Sequence, residues 1–496
     1  MQPAPTTRKP DKAAPYARRR IPFWEQYCRD WEAFFDRYAS QVDAWRRRNA
    51  GYHDSIRSLA GFYIPPGARV LEIGSGSGDL LAQLRPSYGM GIDISREMVN
   101  LASRKYPHLH FRQMAAESLS LDGEQFDYVL LSDTVGYLYD IQETFQRIRQ
   151  VCHPRTRLVL HWYSRLWQPV LTAAELLGLK YRQPLVNWTA PEDIANFLDL
   201  AGFQAVHHRG HVLLPLRAGV LGRLANRYLA HLPGLRWLCL TNWMVARPLD
   251  VLPAGNEPAV SVICPCRDEA GNVHQIAGRL PAMGARTELI FVEGHSRDDT
   301  LEQCRRVAAS FPEKNIRVLV QAGRGKGDAV RLGLANAAGD ILMILDADLS
   351  VAPEELVSFY RAVVSGKAEF INGSRLVYST DPKAMRFLNL LANKFFAVLL
   401  SRLIGQPVKD TLCGAKVFWR ADYERIAASR SYFGEFDPFG DFDLLFGAAK
   451  LNLKIAEVPI RYRERVYGLT NINRFADGWT LLRMSAKAAA KLVFIE

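Results

Sequence analysis

The sequence predicts an α/β protein made of two independent α/β domains in one chain. Three observations carry this. In VLEIGSGSGDL, ending at Leu80, a strand-like run, a glycine-rich loop and a helix follow one another. A second alternation of apolar runs and helical segments begins at Ala259 and sets the acidic pair of ILMILDADLS at a strand end. Between them, residues 251–258 (VLPAGNEP) have the composition of a linker. At 496 residues the chain is also too long for one hydrophobic core.

Residues 1–20, rich in Pro, Lys and Arg, are expected to be disordered. From Phe23 to about Ala60 the pattern is helical, with Trp24, Tyr27, Trp31, Phe34, Phe35 and Tyr38 spaced as a packing face. Ile64-Pro65-Pro66-Gly67 is a turn. Ala68 to Ile73 reads as a buried strand, and the loop after it leads into a helix from Asp79 to Leu84. Met90 to Ile94, Tyr128 to Leu131 and Arg157 to Trp162 read as further strands. Strands alternating with helices imply a parallel sheet. Beyond the linker, strands are expected from Ala259 to Cys264, Leu289 to Val292, Val318 to Val320 and Ile341 to Leu345. Helices start at Asn272, Asp299 and Asp328, and the domain boundary falls near residue 254.

The composition, 48% hydrophobic and 23% charged, is that of a globular protein. The net charge of +12 is unevenly spread. Residues 1–65 hold 12 Arg or Lys against 7 acids, and residues 205–249 hold six Arg and no acid. Such balance favours nucleotide phosphates, nucleic acid or an anionic membrane face. No nucleic-acid recognition motif accompanies the basic tail, so nucleic acid is the least favoured. The seven cysteines lack zinc-ligand spacing and fit a reducing compartment. No signal peptide is expected, and no apolar run reaches the ~18 residues of a membrane span. Phe387 to Ile404, interrupted by Asn389, Asn393, Lys394 and Arg402, reads as an interfacial helix or an ordinary core-facing one. The expected location is cytoplasmic, peripheral on the inner face of the plasma membrane.

The first candidate site is Glu72-Ile73-Gly74-Ser75-Gly76-Ser77-Gly78 with Asp93, fifteen residues after Gly78. The glycines let backbone approach a ligand, and a carboxylate at the end of the next strand can accept both hydroxyls of a ribose. The GxGxG spacing argues against a pyrophosphate and for a ligand whose amino-acid end meets the loop. On these residues, the stretch from about Tyr52 to Pro248 resembles the class I S-adenosylmethionine-dependent methyltransferases. The resemblance implies a Rossmann-like sheet and a cofactor held by Glu72, Gly74, Gly76, Gly78 and Asp93. It also implies adenine contacts near Ala116, with Ala115 where an acid often sits, and a meeting of cofactor and substrate at Ser132-Asp133. Asp133 is a base, a helix cap or a positioning group. Methyl transfer depends on alignment more than on acid-base power.

The second site is Asp346-Ala347-Asp348. Two carboxylates at i and i+2 of a strand end can hold one hard cation, with diphosphate oxygens completing its shell. Residues 259–475 resemble family 2 glycosyltransferases of the GT-A fold, near the polyprenyl- and dolichyl-phosphate sugar synthases. SVICPCRDEAGN supplies Pro265, Arg267 and Glu269. FVEGHSRDDT supplies Glu293, with Gly294 replacing an acid. GRGKGDAVRLG supplies Lys326, DADLSVAPEEL supplies Asp346, Asp348 and Ser350, and NGSR supplies Arg375. RFLNLLANKFF supplies Arg386 and Asn393, DTLCGAKVF supplies Asp410 and Gly414, and VPIRYRERVYGLTNI supplies Arg465, Gly468 and Thr470. The resemblance implies a nucleotide-sugar donor bound at Pro265, Arg267, Glu269, Glu293, Lys326, Asp346 and Arg375. Mg²⁺ or Mn²⁺ would sit at Asp346, Asp348 and Ser350, and Arg375, Arg386 and Arg465 would grip an acceptor phosphate. Asp441 and Asp443 are a general base or helix N-terminal charges.

The domains are expected as a basic tail with helices over 1–50, the methyltransferase over 51–250, a linker over 251–258, the glycosyltransferase over 259–475 and an amphipathic helix over 476–496. The expected function is methyl transfer plus metal-dependent sugar transfer, the acceptor being a polyprenyl phosphate, in polysaccharide or glycolipid assembly. The alternatives are a glycan hydroxyl acceptor, or one half serving as a binding module.

Overall fold

The computed structural model describes residues 14–184, 186–215, 219–249, 257–375, 377, 387–433, 440–461, 467 and 474–495, except the side chains of 14–23, 387–391, 441 and 474–477. The chain divides into two compact units, Met1–Ala205 with Arg209–Pro248, and Leu249–Glu496 with Val206–His208.

In the first unit three helices, Ala14–Ala39, Val42–Arg48 and Ala50–Tyr63, precede the sheet. Within the stretch expected to be disordered, the chain is thus helical from Ala14 onward. The strands are β1 (Arg69–Ile73), β2 (Tyr88–Asp93), β3 (His110–Gln113), β4 (Phe126–Ser132), β5 (Cys152–Tyr163), β6 (Phe203–His211) and β7 (Thr241–Pro248), in the order β3-β2-β1-β4-β5-β7-β6. The first five pair in parallel, but β7 runs antiparallel to β5, with Leu158 opposite Ala246. The sheet is therefore mixed, not parallel as expected. Strand direction leaves no trace in an apolar run, because either direction buries the same side chains. Successive residues serve opposite faces: Leu71 and Ile73 pack into one core, Val70 into another.

The second unit has β8 (Val260–Cys266), β9 (Thr287–Glu293), β10 (Asn315–Val320), β11 (Ile341–Ile344), β12 (Phe370–Ser374), β13 (Lys416–Trp419) and β14 (Ile455–Pro459), in the order β10-β9-β8-β11-β13-β12-β14. The four strands on the β10 side are parallel, and β13 runs antiparallel to both β11 and β12. The helix Phe387–Ile404 packs against the last helix, Arg474–Leu492, and buries Phe396, Leu400, Leu403 and Ile404 while exposing Phe395 and Val398. Among the described residues no helix is long and apolar enough to cross a membrane.

Both sheets reverse their strand order beside the first strand, between β1 and β4 and between β8 and β11. Ligands of open α/β sheets lie outside the carboxyl ends of the strands at such a reversal.

Candidate functional sites

At the first reversal Ile73 lies level with Ile92 and Leu131, so the loops after β1, β2 and β4 meet. Gly74, Gly76 and Gly78 have φ of 72°, 51° and 75°, a region that most side chains avoid. A Cβ on Gly74 would come within 2.8 Å of Thr134 Cγ2, and Thr134 is itself fixed by donating to the Ile73 carbonyl at 2.9 Å. Asp93 braces the loop, accepting from Gly76 N at 2.8 Å and Ser95 N at 2.9 Å. Burial raises the Asp93 pKa to about 6, against the pull of those N–H groups.

Glu72 is buried in the floor of the site. Burial pushes its pKa up to about 8, opposed by the guanidinium of Arg46. Arg46 comes from the helix Val42–Arg48 and pairs with Asp79, which also takes Lys105 at 3.1 Å and Ser77 Oγ at 2.6 Å. Nothing in the local sequence marks Arg46; only long-range packing brings it to the loop.

A cavity of about 910 Å³ opens here. Its walls include Glu72, the glycine loop, Asp93, Ala116 and Ser132 on one side, and Trp31, Phe35, Tyr137 and Tyr181 on another. The aromatic stripe of the first long helix is thus a cavity wall as well as a packing face. Glu72 Oε2 and Ser75 Oγ are buried without a hydrogen-bond partner. Orphaned polar atoms facing a cavity suit a ligand with an ammonium or hydroxyl donor, so these residues fit S-adenosylmethionine.

Asp133 caps no helix. It sits at φ 56°, strained for a non-glycine residue, and accepts from Tyr52 OH at 2.8 and 3.0 Å. His161 Nδ1 lies 3.5 Å from Asp133 and 3.2 Å from Ser132 Oγ, and burial lowers its pKa. Tyr52 and His161 were not singled out in the sequence, being 81 residues before and 28 after Asp133.

At the second reversal Cys266 lies level with Glu293, and Ile263 with Ile344. Pro265, Arg267, Glu269, Glu293, Asp346 and Asp348 therefore gather at the carboxyl ends of the central strands β8, β9 and β11. Asp268, His295 and Leu349, in the loops after β8, β9 and β11, all have positive φ, 55°, 59° and 56°. Such strain at three adjacent strand ends is concentrated where a ligand is expected. Glu269 is buried and accepts from Asn272 Nδ2 at 2.7 Å. Glu293 is buried and accepts from Ser296 N at 2.5 Å. Arg267 is exposed. Gln321, missed in the sequence, is buried beside Gly294 with its Oε1 unpartnered.

Lys326 begins the helix Lys326–Asn336 and places Nζ 2.7 Å from Asp346 Oδ1. Burial opposes ionisation of Asp346, but Lys326, Lys416 and Arg375 outweigh it and hold its pKa below the ordinary value. Asp348 accepts from Ser350 N at 3.0 Å. Among the described residues no group of three or more His, Cys, Asp or Glu is disposed around a metal position. Two carboxylates, one kept ionised, are nonetheless a hard-oxygen set that fits Mg²⁺ or Mn²⁺ when a diphosphate supplies further oxygens.

Arg375 forks onto Asp410, with Nε and Nη2 at 2.7 and 2.8 Å. Asp410 is fully buried; burial is outweighed by Arg375, and its pKa is lowered. Asp443 is bound by Arg430 at 2.7 Å. Asp441 starts the helix Asp441–Lys450, whose N-cap Gly440 approaches the backbone of Gly327 closely. The Asp441 side chain, Arg386, Arg465, Gly468 and Thr470 lie outside the described residues. Asn393 is buried.

The two sites lie at the strand-order reversals of a pair of α/β folds. A methyltransferase-domain family model matches residues 44–208, and the family 2 glycosyl transferase model matches residues 261–427. A dolichyl-phosphate hexose transferase of Haloferax volcanii is 31% identical over 193 residues, covering 39% of this chain and 77% of that protein. A dolichyl-phosphate beta-glucosyltransferase of Dictyostelium discoideum is 31% identical over 186 residues, 36% of this chain and 55% of the relative. A dolichol-phosphate mannosyltransferase of Pyrococcus furiosus is 27% identical over 212 residues, 42% and 58%. The chain spans little more than half the length of several such relatives, 55% to 58%. The chain belongs to the family 2 glycosyltransferases through its C-terminal half, and its N-terminal half matches a methyltransferase-domain model.

Proposed function

We propose that the chain couples two transfers at a membrane surface: a methyl group from S-adenosylmethionine, and a sugar from a nucleotide sugar to a polyprenyl phosphate. The Lys326–Asp346–Asp348 arrangement at the sheet reversal is the observation that carries the sugar-transfer reading. Asp346 and Asp348 would hold Mg²⁺ or Mn²⁺, which supplies charge neutralisation to the leaving diphosphate. Lys326 adds a cation at the same place. Arg267 is exposed just after the carboxyl end of β8, within reach of a donor there.

A lipid monophosphate, with its second pKa near ~6, is a nucleophile at neutral pH without a base. Asp443, the one candidate base whose side chain is described, is engaged by Arg430, which favours this acceptor over a sugar hydroxyl. The names of the relatives, dolichyl-phosphate sugar transferases, support the same choice. The chain divides, in this reading, into a methyltransferase over 51–250, a linker over 251–258, a glycosyltransferase over 259–475 and a C-terminal helix over 476–496. We place the enzyme on the cytoplasmic side, meeting its lipid acceptor by peripheral contact in polysaccharide or glycolipid assembly.

In the first domain, Glu72, Ser75, Gly76 and Asp93 bind and orient the cofactor, and Ala116 borders its adenine. Ser132 and Asp133 face the acceptor. The aromatic wall excludes water from the methyl path.

The test is transfer of label from a panel of UDP- and GDP-sugars to polyprenyl phosphate with Mg²⁺ or Mn²⁺. Label entering the organic phase, and lost in Asp348→Asn, is the expected result. Metal-dependent donor hydrolysis with no lipid product would overturn the acceptor and favour a hydroxyl.

A further inference from the structure

The surface formed by residues 166–179 and 219–238 of the first unit has its apolar side outward. In the helix Gly219–Arg227, Gly222 and Ala225 are buried while Val220, Leu221 (76% exposed) and Leu224 face solvent. A helix of a globular domain turns its large apolar residues inward; this one does the reverse. The helix Gln168–Leu176 has no buried residue, and Leu176 and Leu177 are 74% and 73% exposed. Leu229, Leu232, Trp237 and Leu238 extend the same character. The two segments are joined, since Trp167 Nε1 donates to the Leu238 carbonyl at 2.8 Å; Asn226 in turn ties the second segment to both the N–H and the carbonyl of Leu214.

Charge decides what such a face meets. Residues 205–249 contain six Arg and no acid. Arg223, Arg227 and Arg236 are exposed, and no carboxylate pairs with them among the described residues. A protein partner would need a matching apolar and acidic surface, whereas an anionic bilayer offers both at once. Leucines enter the acyl boundary, Trp237 lies at the headgroup level, and the arginines meet lipid phosphates. The cavity of the first unit reaches this face, for Val170, Leu179 and Leu214 line it and are themselves exposed.

We infer that this face is a docking surface for an anionic lipid bilayer, and that the methyltransferase cavity opens onto it to take an amphiphilic, lipid-borne acceptor. The inference deepens the reading of a membrane-surface enzyme but locates the contact in the methyltransferase half, not at Phe387–Ile404.

The test is flotation of the full chain with phosphatidylglycerol-containing and pure phosphatidylcholine vesicles, without donor or acceptor, so failure leaves the sugar-transfer reading untouched. Wild type is expected to float with the anionic vesicles at low salt and to be released as salt rises. Arg223→Glu with Arg227→Glu should lower partitioning at least about 30-fold, from the usual contribution of each basic residue near an anionic surface. Leu221→Glu with Leu224→Glu should abolish flotation, with S-adenosylmethionine binding retained as a check on folding. Leu176→Glu with Leu177→Glu, in the other segment, should do the same. Wild type that stays unbound overturns the inference. Variants that float like wild type overturn it too. A concentration-dependent dimer lost in Leu221→Glu with Leu224→Glu, without vesicle binding, would assign the face to a second copy and equally overturn it.

Discussion

Replacing Gly414 by alanine tests the second site through a single methyl group. The added Cβ would stand 2.5 Å from Asp346 Cγ and 2.7 Å from Oδ1, with Oδ2 closer still. Real contacts of this kind do not fall below 3.0 Å, so something must move. The backbone of Gly414 is not the part that yields; the carboxylate of Asp346 is the end of a side chain and can rotate away. Rotation breaks the 2.7 Å pair with Lys326 and displaces the group that would hold the metal by something near an ångström. The stability cost is small, because no core contact is lost. The functional cost is large: a misplacement of about 1 Å at a reacting centre costs on the order of 100-fold. We therefore expect kcat/KM for sugar transfer to fall roughly 100-fold, about 2.7 kcal/mol of transition-state stabilisation. Initial rates of lipid-phase label incorporation, beside a thermal melt, measure both. A variant that melts like wild type and transfers sugar within about threefold of it would remove Asp346 from the transfer site.

Three further outcomes follow from the charges. Glu72 has a folded pKa near 8 against 4.5 for an ordinary glutamate, so the folded state holds its proton more tightly and the apo domain loses stability as pH rises from about 4.5 to 8. Glu72→Gln should raise the melting temperature at pH 8 and not at pH 4; an equal effect at both would refute the shift. Arg375→Ala leaves Asp410 buried and unpaired, and should cost about 3–5 kcal/mol in denaturant unfolding. Wild-type stability in that variant would contradict the pair's role. Tyr52→Phe removes the donor to Asp133 and should lower methyl transfer with little change in cofactor affinity, read by separating kcat from binding; a purely cofactor-binding defect would contradict an acceptor-side place for Asp133.

Much of both sites was readable because their motifs are local. A strand, a glycine loop and a helix lie within VLEIGSGSGDL, and DADLS holds both carboxylates. The β3 strand left no signal, since His110–Gln113 is an edge strand with no buried residue. The reversed direction of β7 and β13 is likewise invisible in an apolar run. Contacts between distant residues escaped sequence reading: Arg46 over the first loop, Tyr52 on Asp133, and Arg430 on Asp443. Arg375 was singled out by its motif as a phosphate-gripping arginine, but its Nε and Nη2 are engaged by Asp410, 35 positions away.

We propose that one chain holds two separate ligand sites. Calorimetric titration of the 496-residue chain with S-adenosylmethionine, and separately with a nucleoside diphosphate plus Mn²⁺, is the direct test. One site is expected for each ligand, the first lost in Asp93→Ala and the second in Asp346→Asn, with neither variant affecting the other ligand. Loss of both ligands in either variant, or cofactor affinity unchanged in Asp93→Ala, would contradict it.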